Sequence, residues 1–122
     1  MIKKKKNEGT NRYYSLAKKL KREGKTNEEF EIIFNNLSLE EVIGLKLELA
    51  SRFAFNGKMY GLPIWISLPN IVRDAVLKFA VSATRTKNEA ARFLGLNVRH
   101  LHALIKKYEI DNYFQEEVDK EP

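Results

Sequence analysis

Residues 88–110 read NEAARFLGLNVRHLHALIKKYEI, a stretch that holds both histidines of the chain and four of its lysines and arginines. Gly95 divides it. A tight turn between two helices needs a residue that tolerates positive φ, and glycine does so without steric penalty. Ala91 stands four residues earlier and is small enough to let a second helix cross closely. Leu96 follows as a plug for the turn. Asn97 is a strong N-cap candidate, which starts the second helix at Val98. Leu101, Leu104, Ile105 and Tyr108 then face inward, and Val98, Arg99, His102, Ala103 and Lys106 face outward. Upstream, Thr86 and Glu89 have capping-box spacing, so the first helix starts near Lys87 with Ala90, Ala91 and Leu94 on its apolar face. Two readings compete: a helix-turn-helix that reads DNA, and a helical hairpin that closes a small core. A cap on each helix and a basic outer face favour the first.

Working outward, LPNIVRDAVLKFAVSA (68–83) reads as a helix capped by Ser67, with Pro69 in the first turn where its missing N–H is harmless. Val72, Ala75, Val76, Phe79 and Ala83 share one face and are the expected core contacts. NGKMYGLPIW (56–65) reads as a loop by its Asn-Gly and Gly-Leu-Pro signals, with Tyr60 and Trp65 expected to dock on the core. Ser38 and Glu41 form a second capping box, opening a helix that runs to residue 54. Its apolar residues cover roughly 200° of the wheel, more than one buried face requires. It is either a central core helix or one buried partly by a second subunit. Lys46 lies inside that arc and must reach out to water, pair with an acid or contact a ligand. Thr26 and Glu29 repeat the box spacing ahead of 26–36, where Asn35 and Asn36 can end a helix. Residues 13–24 read as a short basic helix stopped by Gly24, and residues 1–10 as an arm.

The chain has 122 residues, of which 43% are hydrophobic, enough for one domain with a core. Cysteine is absent, which excludes disulfides, thiolate metal sites and cysteine nucleophiles. No apolar run approaches the ~20 residues of a membrane span, and the basic start MIKKKKNEGTNR lacks the apolar segment of an export signal. The net charge of +6 is unevenly placed. Residues 1–25 carry ten basic and two acidic side chains, and 71–108 carry eight and two; 26–70 and 109–122 are net acidic. Two basic blocks set apart in this way suggest an anionic partner, the competing reading being a solvated surface.

Catalysis finds little support. The two histidines, His100 and His102, are two residues apart and point about 200° from each other on a helix, so they share no metal. The carboxylate pairs Glu28–Glu29 and Glu40–Glu41 sit in first helical turns, where they stabilise the dipole. The expectation is no catalytic residue, no metal and no cofactor.

Residues 68–110 as a set resemble the Fis-type helix-turn-helix, the DNA-binding end of a nucleoid protein and of enhancer-binding activators. The matching features are an apolar helix ahead of the motif, the polar turn TRTKN, EAARFLG, the leucines of the second helix and the closing LIKKYEI. The resemblance covers about a third of the chain. It implies that the first motif helix lies across the DNA backbone and the second enters the major groove. By position, Arg85, Thr86 and Asn88 would meet phosphates. Asn97, Val98 and Arg99 would meet base edges, and His100, His102 and Lys106 the groove wall or backbone. Family members often carry arginine or another polar residue at Val98, so Arg99 takes over base reading here. They also frequently carry glycine at the helix end, where this chain has Glu109.

The expected protein is therefore all-α: a basic arm and short helix (1–25), a helical core or dimerisation region (26–66), a Fis-type helix-turn-helix (67–110) and an acidic C-terminal tail (111–122). Lys3, Lys4, Lys5 and Lys6 would add sequence-independent affinity. The expected partners are double-stranded DNA, a second copy of the chain and RNA polymerase or another protein, with no membrane, in the cytoplasm at the nucleoid. Two alternatives remain: a protein-interaction adaptor of polymerase-associated or viral packaging type using helices of 26–66, and RNA binding through the arm.

Overall fold

The structure is a computed structural model that describes residues 14–52 and 64–120. Its described residues form seven helices and no strands. They are α1 (Leu16–Arg22), α2 (Glu28–Asn35), α3 (Leu39–Arg52), α4 (Ile64–Ala83), α5 (Lys87–Leu94), α6 (Val98–Lys107) and α7 (Ile110–Lys120). The chain divides into two compact units. One is Leu16–Ser67; the other joins Tyr14 and Ser15 to the residues from Leu68 onward.

In the unit of residues 16–67, helix ends follow local chemistry. Gly24 stops α1 at φ +73°, and the Lys25 N–H closes onto the Leu20 carbonyl at 2.9 Å. The cap of α2 is Asn27 rather than Thr26: Asn27 Oδ1 accepts from the Phe30 N–H at 2.8 Å. Both residue types can cap, and asparagine is the stronger of the two. The capping box of α3 forms as expected: the Glu41 N–H donates to Ser38 Oγ at 3.1 Å and the Ser38 N–H to Glu41 Oε1 at 2.8 Å. None of α1, α2 and α3 contains a buried residue. That corrects the view of α3 as a central core helix within one chain. Phe30, Ile32, Ile33, Phe34, Leu39, Leu45 and Leu49 are all exposed. Lys46 is exposed as well, the first of its three options.

α4 starts earlier than the Ser67 cap would have it, so Pro69 lies inside the helix. A proline there removes the bond its N–H would make to the Trp65 carbonyl. Both Trp65 and Pro69 are exposed, so water can take that place. Trp65 is 92% exposed and does not dock on the core; Tyr60 lies outside the described residues.

The core belongs to the second unit. It gathers Leu77, Ala80 and Val81 of α4, Ala90 and Ala91 of α5, Leu101 and Ile105 of α6, and Ile110 and Phe114 of α7. The face that α4 gives to the core is therefore Leu77, Ala80 and Val81, with Thr84 buried just beyond its end. Of the face expected from sequence, Ala83 is buried, but Ala75, Val76 and Phe79 are exposed. Both stripes have helical spacing, and periodicity alone does not choose between two apolar faces. The Thr84 hydroxyl donates to the Ala80 carbonyl at 2.8 Å, which pays its desolvation inside the core.

The C-terminal segment departs from the expected acidic tail. Ile110 and Phe114 are 0% and 1% exposed, and Tyr113 packs against the same cluster. Three apolar residues at helical spacing outweigh an acidic composition that faces water. Tyr14 packs here too: its ring lies edge-on to Tyr113 and Phe114, and the Tyr14 and Tyr113 hydroxyls hydrogen-bond. Entry into α7 requires Glu109 to adopt φ +53°, the conformation for which glycine is suited. A side chain in the left-handed region costs about 1–2 kcal/mol. Glu109→Gly is accordingly expected to stabilise the unit by about 1 kcal/mol, after allowing for the greater freedom of glycine in the unfolded chain. Urea unfolding checks this; an unchanged or lower midpoint would show that Glu109 bears no strain.

Candidate nucleic-acid interface

The α5–α6 pair is built from signals within a few residues of each turn. Thr86 caps α5, its Oγ1 accepting from the Glu89 N–H at 3.1 Å. Gly95 ends α5 at φ +74°. The Leu96 N–H then bonds the Ala91 carbonyl at 2.9 Å and the Gly95 N–H the Arg92 carbonyl at 3.2 Å. These are the two bonds of a Schellman motif, which satisfies carbonyls left over at the helix end. Asn97 caps α6, its Oδ1 accepting from the His100 N–H at 2.7 Å. The cap uses the amide oxygen, so the Asn97 NH2 is the group available to donate outward.

α6 is sharply two-sided. Leu101 and Ile105 are buried, Leu104 and Tyr108 half-buried, and the Tyr108 hydroxyl donates to Asn70 Oδ1 at 2.9 Å. On the other side Arg99, His102, Ala103 and Lys106 are exposed, at spacings of three, one and three. That is one stripe along a helix, presenting a guanidinium, an imidazole and an ammonium with only a methyl group between them. Arg85, Thr86 and Asn88 are exposed at the start of α5.

Two expected site residues sit elsewhere. Val98 is half-buried and packs against the core. His100 is exposed but lines an apolar groove of about 340 Å³ together with Val72, Val76, Leu96 and Leu104. It thus stands apart from the stripe of Arg99 and Lys106. Lys3, Lys4, Lys5 and Lys6 lie outside the described residues.

Lys87 was missed by sequence reasoning. It lines a cleft of about 420 Å³ with His102 and Lys106, beside Glu109, Asp111 and Asn112. Its ammonium meets Asp111 Oδ2 at 3.3 Å. The available signal was its place between Thr86 and Asn88, both of which were singled out. Among the described residues no cluster of His, Asp or Glu could hold a metal ion. No helix among them is long and apolar enough to cross a membrane. Compared with protein-family models, with curated proteins and with solved structures, the chain gives no match.

Proposed function

We propose that the chain binds double-stranded DNA, with α5, the Gly95 turn and α6 acting as a Fis-type helix-turn-helix. The observation that carries this is the division of α6: Leu101 and Ile105 fully committed to the core, and Arg99, His102 and Lys106 exposed in one stripe. A helix in the major groove needs such a face, since base edges are met by polar side chains and the flanking phosphates by basic ones. Arg99 reads a base edge, for a guanidinium can bind guanine O6 and N7 together. Asn97 donates nearby. Arg85, Thr86 and Asn88 bind the backbone at the start of α5, and His102 and Lys106 bind it along the groove. The role is that of a transcription regulator or an architectural protein of the nucleoid, within the cytoplasm. Gel shifts with duplex DNA, single-stranded DNA and structured RNA at equal ionic strength test it. Duplex DNA should bind tightest; tighter binding to RNA would transfer the function to the N-terminal lysines.

The exposed apolar side chains of α2 and α3 add a protein partner, and a second copy of the chain is the one proposed. A unit without a single buried residue among its described helices leaves Phe30, Ile33, Leu45 and Leu49 partly in water, where each could gain about 1 kcal/mol on further burial. Most helix-turn-helix sites are two half-sites read by a symmetric dimer. Sedimentation at micromolar concentration should give about twice the 14.2 kDa of one chain. A monomer, both free and on DNA, would instead assign α2 and α3 to a different protein, such as RNA polymerase or a packaging assembly.

A further inference from the structure

Lys87, the first residue of α5, shares its cleft with His102 and Lys106, two members of the exposed α6 stripe. Three groups able to bind an oxyanion therefore converge from two helices. Two carboxylates, Glu109 and Asp111, line the cleft as well, and Asp111 is the one that pairs with Lys87. Asp111, in the first turn of α7, puts Oδ2 at 3.3 Å from the Lys87 ammonium. The Asp111 side chain is 65% exposed and that of Lys87 39%, so the pair sits at the rim, where water and a larger anion have access.

We propose that this cleft receives a backbone phosphate of duplex DNA and that Asp111 competes with that phosphate for Lys87. The proposal rests on the DNA-binding reading above and adds a contact and a brake to it. A phosphodiester offers the same kind of acceptor as a carboxylate, and it gains Lys106 and His102 as further donors once it replaces Asp111. The brake is mild because an exposed ion pair is weak. It acts on every DNA sequence alike, since a phosphate carries no sequence information. Helix α7 is held by Ile110 and Phe114 in the core, so Asp111 is delivered to the cleft by the fold rather than by a free tail.

The test is a set of anisotropy titrations of the full chain with a mixed-sequence duplex, with circular dichroism melts to establish that each variant is folded. Asp111→Asn should tighten binding about two- to five-fold, the range expected for release of one exposed ion pair. Lys87→Gln should weaken it and lower the slope of log affinity against log salt by about 0.9, the loss of one phosphate contact. Asp111→Asn added to Lys87→Gln should then gain almost nothing. Asp119→Asn makes the same charge change further along α7 and should give a smaller gain than Asp111→Asn. Equal gains from Asp111→Asn and Asp119→Asn, or an undiminished gain in the Lys87→Gln background, would overturn the competition and leave DNA binding itself intact. Failure of the wild-type chain to bind duplex DNA at low salt would overturn both.

Discussion

Phe114→Ala is expected to destabilise the C-terminal unit by about 3–5 kcal/mol, the range for removing a buried aromatic ring. Phe114 is the largest fully buried side chain among the described residues, and it holds the edge contacts of both Tyr14 and Tyr113. A loss of that size is a large share of the stability of a small domain. Truncation leaves a cavity between α7 and the helices it covers, and the aromatic rings around it lose their partner. Urea unfolding followed by far-ultraviolet circular dichroism measures it. Trp65 fluorescence is a poor probe because that ring is almost wholly in water. Val118→Ala serves as the control, since Val118 is exposed on the same helix and should change stability little. A Phe114→Ala loss below about 1 kcal/mol, the level typical of an average substitution, would mean that residues 111–122 behave as the acidic tail their composition suggests.

Arg99→Ala is expected to weaken binding to a preferred duplex by about 1–3 kcal/mol and to relax the preference at one base position. Arg99 is exposed in the first turn of α6, next to the Asn97 cap, and Val98 beside it is turned to the core. In the proposed docking, that leaves Arg99 as the basic side chain at the helix end that would meet base edges first. Removal of residues 1–6 should act differently. It takes away Lys3, Lys4, Lys5 and Lys6, weakens binding to all sequences and flattens the salt dependence, because such lysines act mainly by releasing counterions. Selection of bound sequences from random duplexes separates the two. A larger shift in preference from the arm deletion than from Arg99→Ala would reverse the assignment.

The parts of this fold that could be read in the sequence are those decided within one turn of helix. Thr86, Gly95, Asn97 and the Ser38–Glu41 box act on backbone groups three residues away, so spacing suffices to place them. The inward residues Leu101 and Ile105 were legible for the same reason: α6 has one apolar face. α4 has two, and only packing against α5, α6 and α7 selects Leu77, Ala80 and Val81 over Val76 and Phe79. α7 was hidden by its charge. Ile110, Tyr113 and Phe114 have helical spacing, but the carboxylates between them dominate any average. At the candidate interface the exposed stripe was legible apart from Val98, which packs against the core. Lys87 was legible only by its place between Thr86 and Asn88; its pairing with Asp111, twenty-four residues away on a helix that the sequence did not announce, was not.

Titrating a mixed-sequence duplex into the 15N-labelled chain and following backbone amide shifts tests most directly whether α6 is the reading helix. The largest changes are expected from residues 85–88 and 97–106, with little change over residues 28–52. Changes centred on α2 and α3, with the amides of Arg99, His102 and Lys106 unmoved, would contradict it.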